Sequence, residues 1–187
     1  MVYAAMGAVL AIVLALVLVG ANTGSNTSSS TTATTAGAKT ADCTSDTNMD
    51  VYTKGGSHTD ASGYDGPLRP LNNPTYTVNP PSGGDHLSVP APAGVYTGNN
   101  VPPDGNLVHS LEHGYVIIWF KPGLLDQVRP VYNAYPKDVL LVERSNMDQP
   151  VAATAWGHRL LCSGVDVNQL KAFVARYRNQ GPEKIPH

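Results

Sequence analysis

The chain has 187 residues, and its 12 Lys+Arg and 14 Asp+Glu all lie beyond residue 38, so the amino-terminal fifth and the remainder are chemically different materials. A net charge of -2 and a pI near 6.3 argue against a polyanion partner, because phosphate backbones recruit proteins through dense Lys/Arg patches. The length implies one domain with appended segments.

From Val2 to Ala21 the run VYAAMGAVLAIVLALVLVGA carries no charge and no Pro. Twenty helical residues at ~1.5 Å each match a hydrocarbon core of ~30 Å, so residues 1–21 are expected to form a transmembrane helix. Retention as a single-pass anchor is favoured over removal, since a cleavable signal has a shorter apolar core behind a basic start. Val19-Gly20-Ala21 keeps cleavage open as the alternative. Residues 22–42, NTGSNTSSSTTATTAGAKTAD, have no Leu, Ile, Val or aromatic residue to set against the entropy of ordering, and are expected to be a flexible linker. As a coil the linker would span ~25 Å. With the first basic residue at Lys39 the flank is neutral and easily translocated, which places residues 22–187 outside the cytoplasm at the cell membrane.

Residues 43–187 are expected to be one extracytoplasmic α+β domain with a mixed sheet and two main helices. Up to Pro103 the sequence is rich in Gly, Pro, Asn, Asp and Ser, which predicts ordered loops with short extended pieces at Thr75 to Val78 and Gly94 to Tyr96. The run YVIIWF, Tyr115 to Phe120, reads as a buried strand. Leu124, Leu125, Val128, Val131 and Tyr132 fall at helical spacing within Gly123 to Ala134, with Pro130 a weak point. Val139 to Val142 is a second strand, and Val151 to Trp156 with Arg159 to Cys162 a third that turns near Gly157. A last helix is capped by Asp166, buries Leu170, Phe173, Val174 and Tyr177, and runs to Asn179. The order β-α-β-β-α suggests helices packed on one sheet face. A thioredoxin-like half shares this order, but the chain has no CxxC and redox chemistry of that type is unsupported.

The densest chemistry lies in His109-Ser110-Leu111-Glu112-His113-Gly114. On a helix His109 and His113 share a face about 6 Å apart and can bind one metal, whereas on a strand ~13 Å would separate them. Asn106 as N-cap and Gly114 as C-cap would allow two helical turns here. HxxEH also matches the inverted zinc-peptidase signature, but that motif needs a long helix and a further acidic ligand, and a strand follows at once here. No catalytic residue is assigned, and enzymatic activity is not the favoured reading. A metal site of His109, His113 and His86, with Glu112 as ligand or in support, would suit copper or zinc. His158 and Cys162 are more distant candidates. A polar network fastening the loop to the core strand is the competing reading. Cys43 and Cys162 are the only cysteines, and an even count in an exported domain favours a disulfide, with two free thiols as the alternative.

The segments NPPSGGDH (79–86), PAGVY (92–96), VHSLEHGYVIIWF (108–120), PVAATAWGHRLLC (150–162) and ARYRNQGPE (175–183) resemble the bacterial family catalogued as domain of unknown function 3105. The resemblance implies an exported or membrane-anchored bacterial domain and brings no activity or ligand set with it. The expectation is a membrane-tethered binding or accessory module, partnered by the membrane and by a membrane protein of the cell envelope. Transition-metal binding is the alternative.

Overall fold

In chain order the elements are β1 (Cys43–Asp46), β2 (Gly94–Tyr96), a 3-10 turn (Gly98–Asn100), α1 (Asp104–Glu112), β3 (Val116–Phe120), α2 (Leu125–Ala134), β4 (Val139–Glu143), β5 (Val151–Ala155), β6 (His158–Cys162) and α3 (Val167–Tyr177). This is a computed structural model, and it describes residues 41–46, 58 and 75–185. The expected transmembrane helix and residues 22–40 of the expected linker lie outside the described residues. Among those described, no helix is long and apolar enough to cross a membrane.

The six strands form one mixed sheet in the order β1-β6-β5-β3-β4-β2. β2, β4 and β3 run parallel, while β5, β6 and β1 continue antiparallel from β3. The central strand VIIWF is buried at every residue. A strand covered on both faces has no solvent side, so it reads as a continuous apolar run instead of an alternation. Its two sets of side chains serve different layers. Val116, Ile118 and Phe120 pack with Val128 and Val131 of α2 and Leu170, Phe173 and Val174 of α3. Ile117 and Trp119 pack with Leu107 and Leu111 of α1. The helices therefore cover both faces, which corrects the one-face expectation, and among the described residues there are three of them instead of the two expected for the domain. The third is α1, whose short apolar stripe of Leu107, Val108 and Leu111 is interleaved with polar residues and becomes decisive only once it meets the sheet.

The remaining elements follow the sequence closely. Pro130 lies inside α2 without ending it, and Val128 and Val131 remain buried on either side. α3 is capped as expected, the Asp166 carboxylate accepting hydrogen bonds from the Asn168 and Gln169 amides, and it ends at Tyr177, two residues before Asn179. Gly94–Tyr96 is a strand as expected, but Thr75 to Val78 is not. Side-chain hydrogen bonds hold that segment instead: Tyr76 donates to the Asp85 carbonyl at 2.7 Å and Asn79 to the Asn146 carbonyl at 2.6 Å. β1 was not foreseen as a strand. It pairs along β6 with Cys43 opposite Cys162, and the two form the expected disulfide across a sequence separation of 119.

Candidate metal centre

α1 begins at Asp104, with Pro103 at the N-cap and no side-chain cap, so Asn106 is not the capping residue. The Asn106 side chain instead donates to the Val89 carbonyl at 2.6 Å. Asp104 is engaged by the Arg144 guanidinium in a two-point ion pair at 2.7 and 3.0 Å. The helix ends at Glu112 with His113 as its C-cap, and Gly114 follows with φ 92°. The Gly114 amide bonds to the Leu111 carbonyl and the Tyr115 amide to the Ser110 carbonyl, both at 3.0 Å, a paired closure that left-handed backbone after a helix makes available. The helix thus runs just far enough to hold His109, Glu112 and His113 before the chain turns into β3.

The neighbouring loop is laid along α1 by backbone and hydroxyl hydrogen bonds. The Leu87 amide donates to the Gly105 carbonyl and the Ala91 amide to the Asn106 carbonyl, both at 3.2 Å. Ser110 Oγ donates to the Ala91 carbonyl at 2.7 Å. This brings His86, 1% exposed, against the helix, its Nε2 2.9 Å from a Glu112 carboxylate oxygen. His58 is bridged in parallel to His86, and its ring centroid lies 5.0 Å from that of His86 and 4.9 Å from that of His109. Ligand atoms of His58, His86, His109 and Glu112 all lie within 4.8 Å of one another.

The imidazoles are oriented as metal ligands are. His86 Nδ1 faces the Gly84 carbonyl at 2.9 Å, and His109 Nδ1 faces the Leu87 carbonyl at 2.6 Å. A carbonyl can only accept, so each Nδ1 carries a proton. That leaves the lone pair on Nε2 of neutral His109, whereas His86 Nε2 faces the Glu112 carboxylate, also an acceptor, and a metal there would displace the proton between them. Burial, together with the neighbouring His113, His86 and His58, pushes the His109 pKa down to about 4, although the Leu87 carbonyl opposes the shift, so the ring is neutral near pH 7. Burial also works against charge on His86, but the Glu112 carboxylate and the Gly84 carbonyl outweigh it and the pKa is raised. For Glu112 burial favours the neutral acid, but His86 and then His109 and His58 hold it below the ordinary carboxylate range.

His113 points the other way. Its Nε2 lies 2.9 Å from His109 Nε2 and 3.1 Å from a Glu183 carboxylate oxygen, and His109, His113 and Glu183 form a second group whose ligand atoms also lie within 4.8 Å of one another. The carboxy-terminal segment that carries Glu183 is held on the end of α1, the Glu183 amide donating to the Glu112 carbonyl at 3.1 Å and the Asn179 amide to the Gly114 carbonyl at 2.8 Å. Gly181 lets the two backbones meet, because a Cβ there would run into the Glu112 carbonyl oxygen and the Gly114 nitrogen.

Of the residues singled out in the sequence, His86, His109 and Glu112 converge, and His113 joins them through His109. Cys162 is committed to the disulfide and His158 stacks on Tyr177 with centroids 4.2 Å apart, so neither belongs to the cluster. Sequence reading missed His58, which sits in a Gly- and Ser-containing stretch with no periodicity, and Glu183, which follows the Gly181-Pro182 helix stop. No curated protein and no solved structure matches the chain. A family model does match, over residues 71–186, a span that takes in His86, His109, Glu112, His113 and Glu183 but not His58, and the chain belongs to that family, described as protein of unknown function (DUF3105).

Proposed function

We propose that this protein is a transition-metal-binding module, held outside the cytoplasm by its amino-terminal apolar segment, that takes a divalent zinc or copper ion between His58, His86, His109 and Glu112. The convergence of four ligand atoms within 4.8 Å carries the reading. In a tetrahedral zinc site neighbouring donors lie ~3.3 Å apart, given metal-nitrogen distances of ~2.1 Å, so the cluster needs only small side-chain movements to close on an ion. The donor set is three imidazoles and a carboxylate, with no thiolate or thioether. That set suits Zn(II) and Cu(II) better than Cu(I), which prefers sulfur. Two of the imidazoles already have their second nitrogen bonded to a carbonyl, the support that metal-bound histidines generally have.

The test is elemental analysis of the purified full-length chain after loading with Zn(II) or Cu(II) and desalting. One ion per chain is expected, with strong loss of affinity in His86→Ala and in Glu112→Gln. Absence of stoichiometric metal from the folded wild-type protein overturns the reading.

The Cys43–Cys162 disulfide supports the extracytoplasmic half of the proposal, because such bonds persist in oxidising compartments. A 20-residue uncharged run at the amino terminus supports anchoring. Protease added to intact cells should digest the domain. Full protection, with the chain recovered from cytosolic fractions, would reject that location. A module of this kind serves a larger envelope assembly, and copurification of a membrane protein from gently solubilised membranes is the expected observation.

A further inference from the structure

We infer that His109, His113 and Glu183 form a loading site from which a divalent cation passes inward to His58, His86 and Glu112, with His109 the ligand common to both positions. The inference rests on the metal reading above and goes beyond it by giving the outer residues a kinetic role. The two sets differ in access. The side chains of His86 and Glu112 are 1% and 11% exposed, whereas those of His113 and Glu183 are 13% and 49% exposed. An open cavity of about 250 Å³ is lined by His113, Glu183, Asn179, Lys184 and Ile185, room for a cation still carrying several waters. Glu183 and this cavity open the outer set to solvent, while in the inner set His86 and Glu112 are nearly closed off and His58 is partly buried.

His109 decides whether the two sets hold two ions or take turns with one. Its Nδ1 is occupied by the Leu87 carbonyl at 2.6 Å, which leaves Nε2 with a single lone pair. One lone pair binds one metal. The sets are thus alternative positions for one ion, and His109 Nε2, 2.9 Å from His113 Nε2, is the ligand retained while the others exchange. The outer position offers three protein ligands, one of them a half-exposed carboxylate, and the inner position offers four, among them the buried His86, so the ion moves inward to the better-furnished set. Ligand exchange that keeps one bond throughout avoids returning the ion to bulk water.

The experiment uses the full-length chain and Zn(II) alone, with stoichiometry and affinity measured by competition with a chelating indicator and loading rate by stopped flow. Wild type should bind one ion. Glu183→Gln, at an exposed position that does not threaten folding, and the double variant His113→Ala with Glu183→Gln should keep that stoichiometry and an affinity within about threefold, yet load slower by about tenfold or more. Glu112→Gln should do the reverse, weakening affinity by about tenfold or more. Loading of both outer variants at the wild-type rate would overturn the relay while leaving the inner site standing. Two ions per chain would overturn the shared-ligand argument, and a fall in affinity matching the fall in rate would make His113 and Glu183 permanent ligands instead. A folded wild-type chain that takes up no Zn(II) would remove the proposed function and the relay together.

Discussion

The indole N–H of Trp119 is buried in the centre of the sheet and reaches the Thr154 hydroxyl at 2.8 Å, while the Arg144 guanidinium lies 5.1 Å from the centre of the ring. Thr154→Val keeps the shape and removes the acceptor, so denaturant unfolding should show a loss of about 1–3 kcal/mol, the cost of a buried donor left without a partner, and Thr154→Ser should recover most of it. Gly181 is a second single-atom constraint. Gly181→Ala should push the 179–183 segment off the end of α1 at a cost of about 1–3 kcal/mol and, by carrying Glu183 away from His113, reproduce the slow Zn(II) loading of Glu183→Gln. At this scale the sequence was half legible. His109, Glu112 and His113 declared themselves because four-residue spacing on a helix is a local property. His58 and Glu183 are brought in by chain segments 51 and 74 positions from His109, and no local pattern encodes that meeting.

Elements were more legible than contacts, for the same reason. β3, β4, the β5-β6 hairpin and α3 carry their period in five to eleven consecutive residues, and each formed where the apolar pattern and the turn residues put it. β1 escaped notice because CTSD has no apolar pattern, and its place as an edge strand is set by the disulfide and by Asp46, which meets Arg159 at 2.8 Å. The α3 cap makes a testable case. Hydrogen bonds from the Gln169 side chain and amide, and from the Asn168 amide, hold the Asp166 carboxyl below its ordinary value. A depressed pKa in the folded state contributes stability that is complete above the unfolded value, about 3.9, and is lost as pH falls through the folded one. Asp166→Asn keeps an acceptor at the cap but cannot titrate. Melting curves should therefore show wild type losing more stability than the variant on acidification below about pH 4, with the two curves parallel near neutrality.

At the scale of the whole molecule, segments with few apolar contacts of their own depend on long-range ties. The disulfide fixes β1 across a sequence separation of 119, and in the chain-entropy account closing so long a loop contributes about 5 kcal/mol, so Cys43→Ser with Cys162→Ser should lower stability by roughly that amount. The proposed metal would be a second tie. His58 and the 84–91 loop are brought to α1 by polar groups, and a metal bound only by the folded arrangement adds RT ln(1 + [L]/Kd) to its stability. At free Zn(II) a hundredfold above Kd the gain is about 2.7 kcal/mol, an upward shift in melting temperature on the order of 10 °C for a domain of this size. A chelator should reverse the shift. His86→Ala should remove it, because the inner set then loses its most buried ligand, whereas Glu183→Gln should leave it intact once loading has reached equilibrium. That contrast separates the roles of the two residues, since an equilibrium melt does not register how fast the ion arrived. Equal loss of the shift in both variants would mean that the inner and outer groups act as one site.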